Sequence, residues 1–556
     1  MTSTHGDTAV RAVAVPLLPG VPTGVDPADV VVQMVRRAAS PGFEAWWRKA
    51  ENVGFCANPI HLSSTDTFGR QHQVWTRCNN RRAVACPSCS DLYARDTWQL
   101  IHAGLHGGHH DMPATVAEHP QVFATLTAPS FGAVHTSGDD RHGKHARRCH
   151  DLGRRGFTRC QHGKPLWCST IHNDHDAHVG QPLCEDCYDY TGHVLFAWHA
   201  PELWRRFTIT LRRLLDSHLR AIGEPVKSVR LNYVKVTELQ RRAIPHFHAV
   251  IRLDAPPVPG EPPVPPVTSI TSADLAVLVQ RAALGVTVRV TDPDNPGDSD
   301  GDGRVLRFGA QTDTQPLQPA SGTGSGEVTP VRSRRSVAAY LAKYVTKSVA
   351  DFGVGIRRMS PLAVAELDVS THVRAILTTI TGLGAHRAYQ GMDRWLHTLG
   401  YRGHFTTKSR LFSTTMSSLR AYRATWTRQQ HTDRVVTPTV DANEWEFDRA
   451  GLCGLGERVL ILSAAQRMIE HRHTVRDHLR AHDPPPHPDW LPSRWAMRRG
   501  AAFTALAMRG LALHGIARCF GCERRQYDRN TLAGNIFRYF NRRREERDSD
   551  GDGKWS

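Results

Sequence analysis

The chain has 556 residues, and its 70 lysines and arginines outnumber its 53 aspartates and glutamates, which gives a net charge of +17. This excess favours a polyanionic partner, nucleic acid first, over an acidic small molecule. No apolar run reaches the ~18 residues of a membrane span and the N-terminus lacks a secretory pattern, so we expect no membrane association and a cytoplasmic location.

The first half of the chain predicts a mixture of strands and helices. Residues 1–50 show little pattern and are predicted to form a tail or short helices. Cysteine and histidine crowd into residues 51–200, a predicted zinc-binding region that also carries a strand signal at 121–132. A helix is predicted at 201–223 and a strand at 229–239. The mixture indicates an α+β fold.

The second half is less regular. A core at 201–355 is interrupted by a proline- and glycine-rich insertion at 255–330, in which 305–317 resembles a strand. Residues 356–430 are basic and expected to contact DNA. Residues 431–556 are predicted to be helical and to end in a disordered tail.

The twelve cysteines should be thiols or metal ligands in a reducing compartment. Two groups contain a C-x2-C knuckle, whose spacing lets two thiolates bind one tetrahedral zinc ion. The first group is Cys78, Cys86 and Cys89, with Cys56 or His61 as fourth ligand, and the second is Cys160, Cys168, Cys184 and Cys187. We expect structural zinc in both, with unliganded thiols as the alternative. The neighbouring His172, His175 and His178 are predicted to lie on a loop surface.

Two histidines stand two residues apart in TELQRRAIPHFHAVIRL, residues 237–253. Roughly two H-x-H triplets are expected by chance from this composition, so the triplet alone is weak. In a strand, however, His246 and His248 share a face. If 229–238 and 246–253 pair as a hairpin, Glu238 lies opposite His246, and the three side chains form a site suited to a divalent cation. The alternative is a pair of half-buried histidines that only pack.

A helical pattern follows in SVAAYLAKYVTKSVADF, residues 336–352. Tyr340 and Tyr344 are four residues apart and so share a helix face, with Lys347 close to one turn further along. A phenol can attack phosphorus when it is deprotonated or polarised, and a nearby lysine lowers a phenol pKa. Half-buried tyrosines on an amphipathic helix are the alternative.

Together PHFHAV and YLAKYVTK resemble the HUH endonucleases, which cut single-stranded DNA. The order of further segments between about 51 and 425 is similar to replication initiators of actinobacterial rolling-circle plasmids and integrative elements. Each motif is common by itself, so the resemblance depends on their combination. It implies an antiparallel sheet with flanking helices, N-terminal zinc modules and a helical basic C-terminal region.

The resemblance also implies roles for individual residues. His246 and His248 would bind Mn²⁺ or Mg²⁺, with Glu238 as the third ligand. Tyr344 would attack the phosphate, which leaves a 5′-phosphotyrosyl link and a free 3′-hydroxyl that primes a polymerase. Tyr340 would then correspond to the second tyrosine of two-tyrosine initiators, which permits a second strand transfer.

The segment 401–428 mixes arginine, lysine, hydroxyl and aromatic side chains, which suits contact with the origin DNA, single-stranded at the nick. Arg402, Lys408 and Arg410 are the candidate contacts, and a solvated basic face is the alternative. No phosphate-binding loop of a helicase is present, so host helicase and polymerase are expected partners. Other functions stay open: a zinc-dependent DNA-binding regulator without catalysis, a transposase or relaxase with the same chemistry, or a metal-dependent oxidase.

Overall fold

The computed structural model describes these residues: 18–22, 24–66, 69–138, 147–150, 158–294, 303–317, 334–345, 352–355, 359–431 and 445–482. The chain divides into two compact units. The first consists of Met1–Asp91 and Val436–Ser556, and the second of Leu92–Val435.

The helices are α1 (Pro27–Ala38), α2 (Phe43–Asn52), α3 (Pro87–His106), α4 (Tyr190–Ala221), α5 (Ser272–Gly285), α6 (Arg334–Tyr344), α7 (Thr371–Ala385), α8 (Met416–His431) and α9 (Leu455–His482). The strands are β1 (Ile60–Thr65), β2 (Gln71–Thr76), β3 (Gln121–Leu126), β4 (Arg230–Leu239), β5 (Pro245–Asp254), β6 (Thr287–Val290), β7 (Arg304–Arg307), β8 (Thr312–Leu317), β9 (Thr406–Lys408) and β10 (Glu446–Ala450). Among the described residues, no helix is long and apolar enough to cross a membrane.

The first unit combines α1, α2 and α9 with a three-stranded antiparallel sheet in the order β10-β1-β2. Its core is built around Val30, Trp47 and Val459, each at most 4% exposed. Of the two alternatives for residues 1–50, a tail or short helices, the described part contains the short helices α1 and α2. The predicted boundary at residue 50 lies inside α2, because the apolar faces of α1 and α2 are buried in this core.

The second unit is built on a five-stranded antiparallel sheet in the order β8-β3-β5-β4-β9. One apolar core, with side chains from α4, α5 and α7, covers one face. A second core, with side chains from α3, α6 and α8, covers the other. The fold is mixed α+β, as the sequence predicts.

The hairpin of β4 and β5 has the predicted register. Glu238 lies opposite His246 and Val236 lies opposite His248. Pro245 occupies the first position of β5, where its missing N–H costs least. All ten residues of β5 are buried, so its two histidines are more buried than the half-buried pair given as the alternative. As the middle strand of a sheet covered on both faces, β5 has no solvent-facing side.

Several elements of this unit lie outside their predicted bounds. The predicted helix at 201–223 begins earlier, at Tyr190, where the side chain of Asp189 accepts a hydrogen bond from the Gly192 amide and caps α4. The segment predicted as an insertion, 255–330, holds α5, which begins with a capping box of Thr271 and Asp274. That segment also supplies β8, an edge strand of the sheet.

The region after residue 356 is mostly helical in its described part, with α7, α8 and α9. It also contributes two short strands, β9 to the second unit and β10 to the first. The disordered tail predicted at the C-terminus lies outside the described residues.

Candidate active site and metal-binding groups

His248 has a polar partner close to each of its ring nitrogens. Its Nε2 lies 3.1 Å from a carboxylate oxygen of Glu238, and its Nδ1 lies 3.2 Å from the hydroxyl of Thr125. The ring is 2% exposed, and Glu238 is 13% exposed. A threonine hydroxyl can accept from Nδ1–H, and this tautomer would leave the Nε2 lone pair for a cation beside the carboxylate.

His246 lies on the same face, with its ring centroid 4.5 Å from that of His248. Its Nδ1 is 3.2 Å from the amide nitrogen of Gln240, whose oxygen accepts from Arg242 Nε at 3.1 Å. Burial, and next the neighbouring His248, lowers the pKa of His246 to about 3. The ring is therefore neutral at physiological pH, which is the state that binds metal ions.

Both predicted tyrosines reach this face of the sheet. The Tyr340 hydroxyl lies 3.4 Å from His248 Nε2. The ring of Tyr344 is 5.7 Å from that of His248 and 4.6 Å from that of Tyr340, but Tyr344 is only 7% exposed. The predicted Lys347 lies outside the described residues.

A cavity of about 250 Å³ opens at this point. Its lining comes from three strands, the loops beside them and the tyrosine helix, namely Phe123, Thr125, Thr127, Gln240, His246, His248, Gln311, Asp313 and Tyr340. Tyr344 is not part of the lining. Asp313, which faces Thr125 across the β3–β8 pairing, is an exposed carboxylate that the sequence analysis did not find. The strand-like pattern at 305–317 could have indicated this residue, because residues two apart in a strand, such as Asp313 and Gln315, lie on the same face.

The residues around the cavity fit a divalent cation in type. Two imidazoles and a carboxylate are a donor set suited to such an ion, and the 3.1 Å approach of His248 to Glu238 brings two donors together. In the described part of the chain, His246, His248 and Glu238 are not among the groups whose donor atoms all lie within 4.8 Å of one another. The hydrogen bond between His246 and Gln240 holds the third donor in a different contact.

The three candidate DNA contacts have different environments. Arg402 is exposed, stacks on the Trp198 ring at 4.5 Å, and donates to the Trp198 carbonyl. Lys408 donates to the carbonyls of Ser409, Arg410 and Ser413, and burial lowers its pKa to about 8. Its ammonium thus stabilises the loop rather than offering free donors to a phosphate. Arg410 is exposed.

The first cysteine group is complete in the first unit. Cys56, Cys78, Cys86 and Cys89 have their sulfur atoms within 4.8 Å of one another. The sulfur of Cys56 lies 3.8 Å from that of Cys86 and 3.6 Å from that of Cys89. Of the two candidates for the fourth position, the structure places Cys56 here. His61 instead lies 2.9 Å from the Gly451 carbonyl.

The second predicted group does not come together as one set of four cysteines. Two groups are found instead, one of Cys160, His162, Cys184 and Cys187, and one of His135, Cys149, Cys168 and His172. The expectation that His172 lies on the surface is wrong, because it is 4% exposed. The spacing of the cysteines does not reveal these sets. Three of the ligands that were not predicted, His135, His162 and His172, are histidines in loops, and the fourth, Cys149, is not part of a C-x2-C knuckle.

The comparisons with known proteins agree with one another. A family model named RepSA, described as the replication initiator protein of pSAM2, matches residues 42–466. A curated replication initiator protein from Streptomyces ambofaciens is 35% identical over 472 residues, which cover 80% of this chain and 95% of that protein. No solved structure matches the chain significantly.

Proposed function

The chain belongs to the RepSA family of replication initiator proteins, and from this membership we propose that it starts rolling-circle replication by cutting one strand of the origin DNA with a tyrosine. The proposal includes an HUH-type endonuclease site in the second unit. The observation that carries it is the 3.4 Å approach of the Tyr340 hydroxyl to His248 at the wall of a cavity. One face of the sheet thus carries a phenol, two imidazoles and a carboxylate. In phosphoryl transfer the phenol can act as the nucleophile, and the other groups can hold a cation on the phosphate.

The reaction is a transesterification. The phenol oxygen bonds to phosphorus, and the bond from phosphorus to the 3′ oxygen breaks. The phenol proton ends on that 3′ oxygen, so the products are a 5′-phosphotyrosyl link and a free 3′-hydroxyl. Because one phosphodiester replaces another, no external energy source is needed, and the 3′-hydroxyl can prime a host polymerase.

The residues of β4 and β5 would support this step. His246, His248 and Glu238 would hold Mn²⁺ or Mg²⁺, which when bound neutralises charge on the phosphate. Thr125 orients His248 through its second nitrogen. The depressed pKa of His246 keeps that ring uncharged over the whole physiological range.

The order in which the two phenols act is part of the proposal. The family resemblance assigns the first attack to Tyr344 and a second transfer to Tyr340. The positions of the side chains support the reverse order, because Tyr340 lines the cavity whereas Tyr344 is buried and does not line it. Tyr344 would then act after α6 has turned, or would support the ring of Tyr340.

Binding of the origin DNA would use the positive charge of the chain, with exposed Arg402 and Arg410 as contacts. Lys408 would act indirectly, by shaping the loop that presents Arg410. Zinc in the cysteine groups would stabilise the fold, and a host helicase would open the duplex ahead of the polymerase.

A covalent assay tests the proposal. The full chain is incubated with single-stranded origin DNA labelled at its 3′ end and with Mn²⁺, and the products are separated in SDS. We expect a labelled protein band that resists denaturation and that disappears in the Tyr340→Phe, Tyr344→Phe double variant. A zinc-dependent DNA-binding regulator would shift the DNA on a native gel but give no such band, and that result would reject the endonuclease. A plasmid replication assay separates an initiator from a relaxase or transposase.

A further inference from the structure

We propose that the segment 133–188 binds two zinc ions through alternating pairs of ligands, and that these ions replace an apolar core in this part of the fold. The first ion is held by His135, Cys149, Cys168 and His172, and the second by Cys160, His162, Cys184 and Cys187. This inference is independent of the proposed cleavage reaction.

The distances between donor atoms suit tetrahedral zinc. With Zn–S near 2.3 Å and Zn–N near 2.0–2.1 Å, the edges of such a tetrahedron are roughly 3.3–3.8 Å. At the first site, His135 lies 3.2 Å from His172 and 3.6 Å from Cys149, and Cys168 lies 3.4 Å from His172. The donors are therefore already spaced as around a common ion.

The second site has the same spacing. The Nδ1 atom of His162 lies 3.2 Å from the sulfur of Cys187 and 3.7 Å from that of Cys184. With Cys160 this makes three thiolates and one imidazole, a common structural zinc set.

The surroundings of the first site also favour a metal. The Thr136 amide donates to the sulfur of Cys149 at 3.2 Å, which stabilises a thiolate. His172 turns its Nδ1 to a carboxylate oxygen of Asp176 at 2.7 Å. A histidine ligand commonly donates its second N–H to a carboxylate in this way, which orients the ring and fixes its tautomer.

The packing of the segment shows why metal ions are needed. Among its described residues from 133 to 187, no valine, leucine, isoleucine, methionine, phenylalanine, tryptophan or tyrosine is buried. Tyr188, the last residue of the segment, is buried in the core that covers the sheet. Cys149 and Cys184, both ligands, are 6% and 5% exposed. A segment that buries so little apolar surface needs another source of stability, and metal ions supply it in small domains.

The order of the ligands along the chain makes the two sites interdependent. The first pair, His135 and Cys149, belongs to the first site, the next pair to the second site, the third pair to the first, and the last pair to the second. Isolated backbone bridges also join parts of the segment that carry ligands. One pairs Val134, next to His135, with Pro182, near Cys184, and another pairs His150, next to Cys149, with Cys168. Each ion thus closes a loop that contains ligands of the other.

The segment also contacts the turn that leads to His246. Gly180 has a φ of +92° and lies so close to the Arg241 backbone that an added Cβ would be 2.4 Å away. The guanidinium of Arg241 donates to the Asp174 carbonyl. The loop between the ligands His172 and Cys184 therefore supports the β4–β5 turn.

Zinc content of the purified full chain, measured by mass spectrometry of the metal without DNA, tests the inference. We expect one zinc ion for each of the three cysteine-containing groups. His135→Ala and His162→Ala should each contain less zinc than the wild type, whereas His175→Ala, which changes an exposed histidine in none of the groups, should contain as much.

A ligand exchange guards against misfolding of the alanine variants. His135→Cys should keep the wild-type zinc content, because a thiolate can replace the imidazole as a zinc ligand. Such a rescue is expected only if residue 135 binds the ion. Wild-type zinc content in His135→Ala would overturn the inference, as would an equal loss in His175→Ala. Since no DNA is cut, failure of the cleavage assay leaves this outcome unaffected.

Discussion

Replacing Tyr340 with phenylalanine should slow formation of the covalent DNA adduct by more than ~100-fold. The substitution removes one oxygen, 3.4 Å from His248 Nε2, and keeps the ring that packs on Phe123 and Tyr344. We therefore expect little change in folding and a large change in chemistry.

The magnitude follows from the distance between the two rings. Misplacement of a reacting group by ~1 Å can cost ~100-fold in rate, and the centroids of Tyr340 and Tyr344 are 4.6 Å apart. Tyr344 cannot reach the same phosphate without a movement several times larger than that tolerance. Its hydroxyl should rescue the Tyr340→Phe variant only slowly.

The assay follows the SDS-resistant band over time with a 3′-labelled strand, because the protein stays on the fragment that begins at the cleaved phosphate. Tyr344→Phe is the matched control and should react within a few-fold of the wild type, with the adduct mapped to Tyr340 by peptide mass spectrometry. If Tyr340→Phe reacts at the wild-type rate with its adduct on Tyr344, the reasoning from the cavity is refuted and the assignment from family resemblance stands.

Further expected outcomes concern stability and metal content. Burial lowers the pKa of His102 to about 3 and that of His109 to about 4. Their unfolded values lie near 6.5, so the unfolded chain binds more protons between about pH 6.5 and 3, and the melting temperature should fall as the pH is lowered through that window. The melting temperature of the His102→Asn, His109→Asn variant should fall less steeply with decreasing pH. The same slope as in the wild type would show that these two histidines do not cause the loss of stability. Arg252→Met should cost ~3–5 kcal/mol in urea unfolding, because it leaves the buried Asp254 carboxylate without its paired guanidinium; a loss below ~1 kcal/mol would contradict this. Cys56→Ser should lower the zinc content by one ion in the first unit, and a wild-type content would exclude zinc from that group.

The β4–β5 hairpin, which carries the candidate active site, could be predicted because its causes are local. Pro245 begins a strand, the alternation from His246 onward sets the faces, and the short connection fixes the register. Those three constraints put Glu238 opposite His246 without knowledge of the remaining fold. The burial of both faces of β5 could not be seen, since it depends on helices far away along the chain.

The grouping of the cysteines could not be predicted from spacing. A C-x2-C knuckle is local, and both knuckles are found in groups whose donor atoms are close enough to hold a metal ion. The partners of each knuckle come from distant loops, so Cys168 was placed with the wrong set, and His135 and Cys149 were missed. Likewise, the 3.6-residue period puts Tyr340 and Tyr344 on one helix face, but only the packing of α6 decides which phenol faces the cavity.

The central place of β5 limits how far its two histidines can move. Strand β4 pairs with all ten residues of β5 and β3 pairs with six of them, and both faces of β5 lie under helices. Movement of the β5 backbone at His246 or His248 would break strand pairings, so in the proposed site these rings would form a fixed reference point for the bound DNA strand. In the proposed reaction, realignment between cutting and rejoining would therefore come from the tyrosine-bearing helix and from the DNA itself.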